Sequence, residues 1–135
     1  MVPNLSSYTV VVIIALMLFC AYGCEEDDEL VAIRSIETIE PYVSGEAVIS
    51  GGIIKANRDI SLVRYGVCLN TESNPTVEDT VIVGENLRKS PDGGGYFIEF
   101  ESVMVLSPGT QYYIRAFIET RSGLAYGNET DFIFN

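Results

Sequence analysis

From residue 30 onward, no window of the chain keeps apolar residues at helical spacing for three turns. Short alternating runs rich in Val, Ile, Tyr, Phe and Thr occupy that length instead, separated by Gly, Pro, Asn and Ser clusters. The runs cover residues 31–39, 47–56, 62–69, 80–83, 96–104, 111–120 and 124–134. Asn57-Arg58-Asp59, the polar stretch 70–79, Pro91-Asp92-Gly93-Gly94-Gly95, Ser107-Pro108-Gly109 and Arg121-Ser122-Gly123 are the turns between them. Pro41, Pro75, Pro91 and Pro108 fall outside the runs, where a proline removes no ladder hydrogen bond. Seven short strands with regular turn signals predict an all-β fold, a seven-stranded antiparallel β-sandwich. No internal repeat is present, so one sandwich uses the whole stretch.

Alternation also assigns faces. Tyr112, Ile114, Ala116 and Ile118 share one face of their run, and Tyr113, Arg115, Phe117 and Glu119 share the other. The first set reads as core, the second as a solvated or partner-facing surface. Val63, Tyr65, Val67 and Leu69 form a second core set, and Tyr96, Ile98 and Phe100 a third. Tyr113, Phe117 and Phe97 then lie on outward phases. Such aromatics can stack on sugar rings or anchor a partner protein, or they can pair across strands to stabilise the sheet.

Composition narrows the chemistry. Among 135 residues, 19 Asp and Glu oppose 8 Lys and Arg, a net charge of −11. A nucleic-acid partner is therefore not expected, because phosphate neutralisation needs a basic footprint. With 0 His, Ser-His-Asp and Cys-His nucleophile systems are excluded and the commonest zinc ligand is missing. No catalytic residue, metal ligand or cofactor is assigned. The pairs Glu99/Glu101 and Glu78/Asp79 read as solubilising acids. Glu72, Asn74, Glu78 and Asp79 lack an ordered calcium-loop spacing. Gly93–Gly95 precede no Lys-Ser/Thr and no helix, so they make no phosphate loop. Cys68 reads as a small residue at the rim of the core rather than a reactive thiol.

The mean hydropathy of +0.23 owes most to one N-terminal segment. Residues 10–19 are apolar and uncharged, the length of a signal-peptide core rather than a bilayer span. The ending Ala21-Tyr22-Gly23-Cys24 resembles a bacterial lipobox, which implies cleavage before Cys24 and lipidation of its sulfur. Ala21 replaces the usual Leu, Tyr22 is bulky, and the first ten residues lack Lys and Arg, so an uncleaved signal anchor is the alternative. Glu25, Glu26, Asp27, Asp28 and Glu29 follow at once and read as a solvated tether, since adjacent like charges repel. An acidic run directly after a lipidated cysteine resembles the export signal of Bacteroidetes-type surface lipoproteins. That resemblance implies an outer-membrane protein facing the exterior. With Cys20 in the signal and Cys24 lipidated, Cys68 has no disulfide partner.

The run Leu106-Ser107-Pro108-Gly109-Thr110-Gln111-Tyr112-Tyr113-Ile114-Arg115-Ala116 resembles the L-x-P-G-T-x-Y-x-[VI]-x-A signature of fibronectin type III domains. The signature residues are Leu106, Pro108, Gly109, Thr110 and Tyr112, and the resemblance implies a tyrosine corner in which the Tyr112 hydroxyl bonds the backbone. Arg64-Tyr65-Gly66-Val67-Cys68, Asn74-Pro75-Thr76 and Ala125-Tyr126-Gly127-Asn128-Glu129 resemble a bacterial subgroup of the same immunoglobulin-like family. The Trp of animal members is absent. Asp79-Thr80-Val81 resembles the O-glycosylation motif of Bacteroidetes-type exported proteins, with Thr80 the acceptor, and Asn128-Glu129-Thr130 is a chance sequon in a bacterial chain.

The resulting division is a signal peptide at 1–23, a lipidated cysteine and acidic tether at 24–30, and a fibronectin type III-like sandwich at 31–135. The expected function is a non-enzymatic binding module held at the membrane by its lipid. It would act in adhesion or in assembly with other surface proteins, with Tyr113 and Phe117 as the partner face. An accessory carbohydrate-binding lipoprotein of a glycan-uptake system is the alternative.

Overall fold

A computed structural model describes residues 28–135. Cys24, Glu25, Glu26 and Asp27, with the apolar segment before them, lie outside the described residues. The described residues begin with a single helical turn, α1 (Glu29–Ala32), and continue as β1 (Ile33–Ser44), β2 (Ala47–Ala56), β3 (Arg64–Asn70) and β4 (Thr80–Val83). It ends with β5 (Glu85–Asp92), β6 (Gly95–Met104), β7 (Thr110–Thr120) and β8 (Gly123–Phe134). Two four-stranded sheets result, in the orders β1-β2-β6-β5 and β4-β3-β7-β8. Every adjacent pair is antiparallel.

The described chain thus has one strand more than the expected seven. The extra strand, β5, carries the sequence Glu85-Asn86-Leu87-Arg88-Lys89-Ser90-Pro91-Asp92, in which Leu87 is the one large apolar residue. It is an edge strand paired only with β6. Charges, a register shift after Glu85 and a proline suit an edge, where unpaired backbone would otherwise template aggregation. Pro91 and Pro41 therefore sit inside strands, not between them. Both are on edge strands, and Pro41 occupies the irregularity between Ile39 and Tyr42.

The start of the domain also differs from the expected strand at 31. Asp28 caps α1 by accepting from the Leu30 N–H at 3.1 Å. Glu29 accepts from the Ser61 N–H at 2.9 Å, and its own N–H donates to Ser122 Oγ at 3.1 Å. The last two acids of the run are thus part of the fold rather than a free tether: Asp28 receives the Leu30 N–H of α1, Glu29 receives the Ser61 N–H of the β2–β3 connection, and Ser122 of the β7–β8 turn accepts the Glu29 N–H.

The core lies between the sheets. Ile54, Ile98, Phe100, Ala116 and Ile118 centre one cluster, and Val48, Val67, Leu69, Met104 and Ile114 the other. The alternation reads most of these faces correctly, Val63 excepted: it precedes β3 and is 63% exposed. A single residue, Gly84, carries the chain from β4 in one sheet to β5 in the other. A Cβ there would lie 2.5 Å from the Tyr65 ring and 2.7 Å from the Phe100 ring, so only glycine permits this crossing.

Buried hydroxyls find carbonyl partners within and between the sheets. Ser50 Oγ donates to Ile39 O, and Ser102 Oγ reaches Ile82 O in the opposite sheet at 3.4 Å. Thr38 on β1 does more. The β7–β8 register shifts between Arg115 and Phe117, leaving the Ala116 N–H without a ladder partner on β8. That N–H donates to Thr38 Oγ1 at 2.9 Å, while the same hydroxyl donates to Asn128 O. The Thr38 N–H donates to Asn128 Oδ1 at 2.8 Å. The edge of β1 is thereby tied to the opposite sheet.

Candidate interaction surface

The outward phase of β7 does not form an open face. Phe117 is fully buried, a correction to its expected place on a partner surface. The Arg64 guanidinium lies 5.3 Å from the centre of its ring, held by a 2.9 Å ion pair with Glu119. The next cover is the β3–β4 loop, residues 71–79, which folds back over the sheet. Pro75 is buried there, and its carbonyl accepts from Arg115 Nε. Arg115 in turn stacks on Tyr126 at 4.0 Å, and the Tyr126 hydroxyl accepts from the Val77 N–H at 3.1 Å. Glu129 accepts from Ser73 Oγ at 2.9 Å and from the Asn74 N–H. Asn74 adopts φ +60°, a left-handed conformation that Asn tolerates. Tyr113 is half-buried beside Asn70 and Asp131.

The three sequence pieces around Arg64, Pro75 and Tyr126 thus meet in space, and their side chains hold a loop down. Gly127 belongs to the same device: a Cβ would lie 2.9 Å from Thr38 Oγ1, so its absence lets β1 approach β8. The corner at 106–112 is closed by the Gly109 N–H donating to Phe134 O, with Gly109 at φ +79°. The Tyr112 hydroxyl, expected to make the corner bond, has no hydrogen-bond partner among the described residues. Its ring instead packs 5.9 Å from Phe132. Leu106 and Phe134 border the same cluster. Pro108 is exposed, and Thr110 opens β7 opposite Phe134. Thr80 is exposed at the start of β4, while the Asp79 carboxylate before it accepts from Asn70 Nδ2 and the Thr76 N–H.

Cys68 sits beneath the loop rather than at a core rim. It is fully buried, with Sγ 3.4 Å from Pro75 O and 3.5 Å from Arg115 O. Burial pushes its thiol pKa up, against a partial opposing pull from the Arg115 charge. Native Cys68 is therefore expected to resist iodoacetamide at neutral pH and to react on unfolding, as mass spectrometry of quenched samples would show. The raised pKa has a second consequence. The unfolded thiol ionises first, so this contribution to stability is complete below the unfolded pKa and is lost as pH rises through the folded value.

The other sheet presents the open face. Directly opposite residues on its outer side form rows across β1, β2 and β6: Tyr42–Ile49–Val103, Ile39–Gly51–Glu101 and Glu37–Ile53–Glu99. Tyr42 is 48% exposed and Val103 44%; Val105, just beyond β6, is 84% exposed. No described residue covers them. An antiparallel sheet with a solvated outer side ordinarily alternates apolar and polar, yet β2 is apolar on both phases, with Ile49 and Ile53 outside and Val48 and Ile54 inside. Glu85 and Glu101 stand directly opposite each other beside this patch, a like-charge pairing that opposes sheet formation. What this surface can do is bury apolar area. Sequence reasoning passed over Tyr42, Ile49 and Val103, although the unbroken apolar run Ile53-Ile54 after Val48-Ile49 was the visible sign of a strand with two apolar faces.

No protein-family model, curated protein sequence or solved structure matches the chain.

Proposed function

We propose that the chain is a lipid-anchored, non-enzymatic interaction module of the outer membrane, facing the exterior and built on an immunoglobulin-like sandwich of fibronectin type III character. The fold type is supported by strand order. β1-β2-β6-β5 against β3-β7-β8 follows the A-B-E-D over C-F-G arrangement of immunoglobulin-like sandwiches, with β4 an added strand beside β3. Anchoring is supported by Ala21-Tyr22-Gly23-Cys24 and the acids after it. The observation that carries the interaction reading is the exposed cross-strand row Tyr42–Ile49–Val103.

A protein partner fits this surface better than a glycan. Sugar rings stack on flat aromatic faces, and Tyr42 is the one ring among the exposed large apolar side chains; Val103 and Val105 beside it are aliphatic. Two measurements test the proposal. Cys24→Ser is expected to abolish fatty-acid labelling and leave an uncleaved precursor, and a processed, membrane-bound Cys24→Ser protein would overturn the anchor. Protease treatment of intact cells is expected to degrade the domain, and its full protection would overturn the exterior placement.

A further inference from the structure

The two ends of the sandwich differ in charge. α1, the β2–β3 connection and the β5–β6 and β7–β8 turns gather at the end nearest the N-terminus. The β1–β2 turn, the β3–β4 loop, the β6–β7 connection and the C-terminus gather at the distal end. Of the 8 Lys and Arg, all but Arg115 lie in the proximal half. There they face acids in similar number, as in the pairs Arg64–Glu119 and Lys89–Asp59. The distal half holds Glu40, Glu46, Glu85, Glu101, Glu129 and Asp131 as well as the acids of the β3–β4 loop. The exposed apolar row is at that same end. Tyr42 and Val103 lie near the distal end of the sheet, Val105 lies beyond them, and Glu46, Glu85 and Glu101 flank them on the β1–β2 turn, β5 and β6.

We infer that the patch of Tyr42, Ile49, Val103 and Val105 docks a positively charged protein segment, one whose Lys or Arg side chains flank aliphatic or aromatic anchors. The inference rests on reading the chain as an interaction module and names the chemistry of its partner. The apolar patch supplies the area to bury and the flanking carboxylates select the sign of charge. The like charges of Glu85 and Glu101 stand opposite each other across β5 and β6 and repel, and Asn86 Nδ2 donates to Glu101 Oε2 at 3.4 Å. A guanidinium or ammonium seated between them removes that repulsion, so bound charge is favoured over free. A second copy is a poor occupant. Packing this face on itself sets Glu46, Glu85 and Glu101 against like carboxylates at an interface from which water is withdrawn.

The test uses the protein as the cell processes it, in nanodiscs of zwitterionic lipid, titrated with fluorescein-labelled ten-residue peptides of alternating Lys and Val, Gln and Val, or Glu and Val. The Lys/Val peptide is expected to bind about tenfold or more tighter than the Gln/Val peptide, with affinity falling as salt rises. The Glu/Val peptide is expected not to bind. Tyr42→Ser/Val103→Ser and Glu85→Gln/Glu101→Gln should each weaken Lys/Val binding by about tenfold. Glu72→Gln/Glu78→Gln, on the loop over the other sheet, should leave it unchanged. All but the half-buried Glu101 are exposed positions, and circular dichroism of each variant checks that it is folded. Equal binding of Lys/Val and Gln/Val, both dependent on Tyr42 and Val103, would overturn the cationic assignment and leave the interaction reading standing. Peptide binding indifferent to Tyr42 and Val103 would overturn both. Sedimentation showing a dimer that Val103→Ser dissolves would put a second copy on the patch and overturn the inference.

Discussion

Replacing Phe100 with Ala is expected to destabilise the domain by about 3–5 kcal/mol. The side chain is fully buried at the centre of one core cluster. Its ring lies 5.1 Å from that of Tyr65, and two glycines make the room it occupies. A Cβ on Gly52 would stand 2.7 Å from Phe100 Cζ and 2.9 Å from the Ala116 Cβ; Gly84 is as close on another side. The void left by truncation is bordered by backbone at both glycines, which cannot extend side chains into it. A domain of this size has roughly 5–15 kcal/mol in total, so the loss is a large part of its stability. Urea denaturation measures it. The same geometry makes Gly52→Ala costly, by about 1–3 kcal/mol from overpacking. Phe100→Leu in the Gly52→Ala background should recover part of that cost. Strictly additive losses in the double variant would mean that the two positions do not share one space.

Thr38→Val is expected to have the next largest effect. It keeps the shape and removes the hydroxyl, which orphans the Ala116 N–H and one acceptor interaction of Asn128 O. Each buried group left unpaired costs about 1–3 kcal/mol. Thr38→Ser retains the hydroxyl and should lose far less. The distinguishing readout is local: amide exchange at Ala116 should accelerate in Thr38→Val and stay near the native rate in Thr38→Ser. Unchanged exchange at Ala116 in Thr38→Val would show that another group satisfies the amide.

The strands rich in apolar and β-branched residues and bounded by turn signals were legible from the sequence, and the elements without that composition were lost. The ranges read for 47–56 and 80–83 coincide with β2 and β4. β2 is flanked by turn residues on both sides, and β4 is an aliphatic run entered from a polar loop. β5 gave no periodic signal because Leu87 is its one large apolar anchor and an edge strand buries little. α1 gave none because one turn is shorter than the period used to detect a helix. The surface was misassigned for a different reason. The outward phase of Phe117 was read correctly, but its cover is the Arg64 guanidinium, held by Glu119 55 residues away in sequence, and the neighbouring Arg115 is covered by Pro75, 40 residues away. Local pattern shows which face a side chain occupies. Whether a loop then lies on that face is decided by pairings that periodicity does not contain.

The run of β1 gives the domain a mechanical character. β1 enters at the proximal end through α1 and runs the length of the sheet to Tyr42 and Ser44 beside the distal patch, hydrogen-bonded to β2 along most of that course. A molecule held at its N-terminus and pulled at the patch carries the load along the strand axis. The inter-strand hydrogen bonds lie across that axis, so the whole β1–β2 ladder is sheared together instead of being peeled open one bond at a time. Thr38 and Asn128 add a rivet from the opposite sheet near the middle of the loaded strand. Such a body yields to tension only when many contacts fail at once.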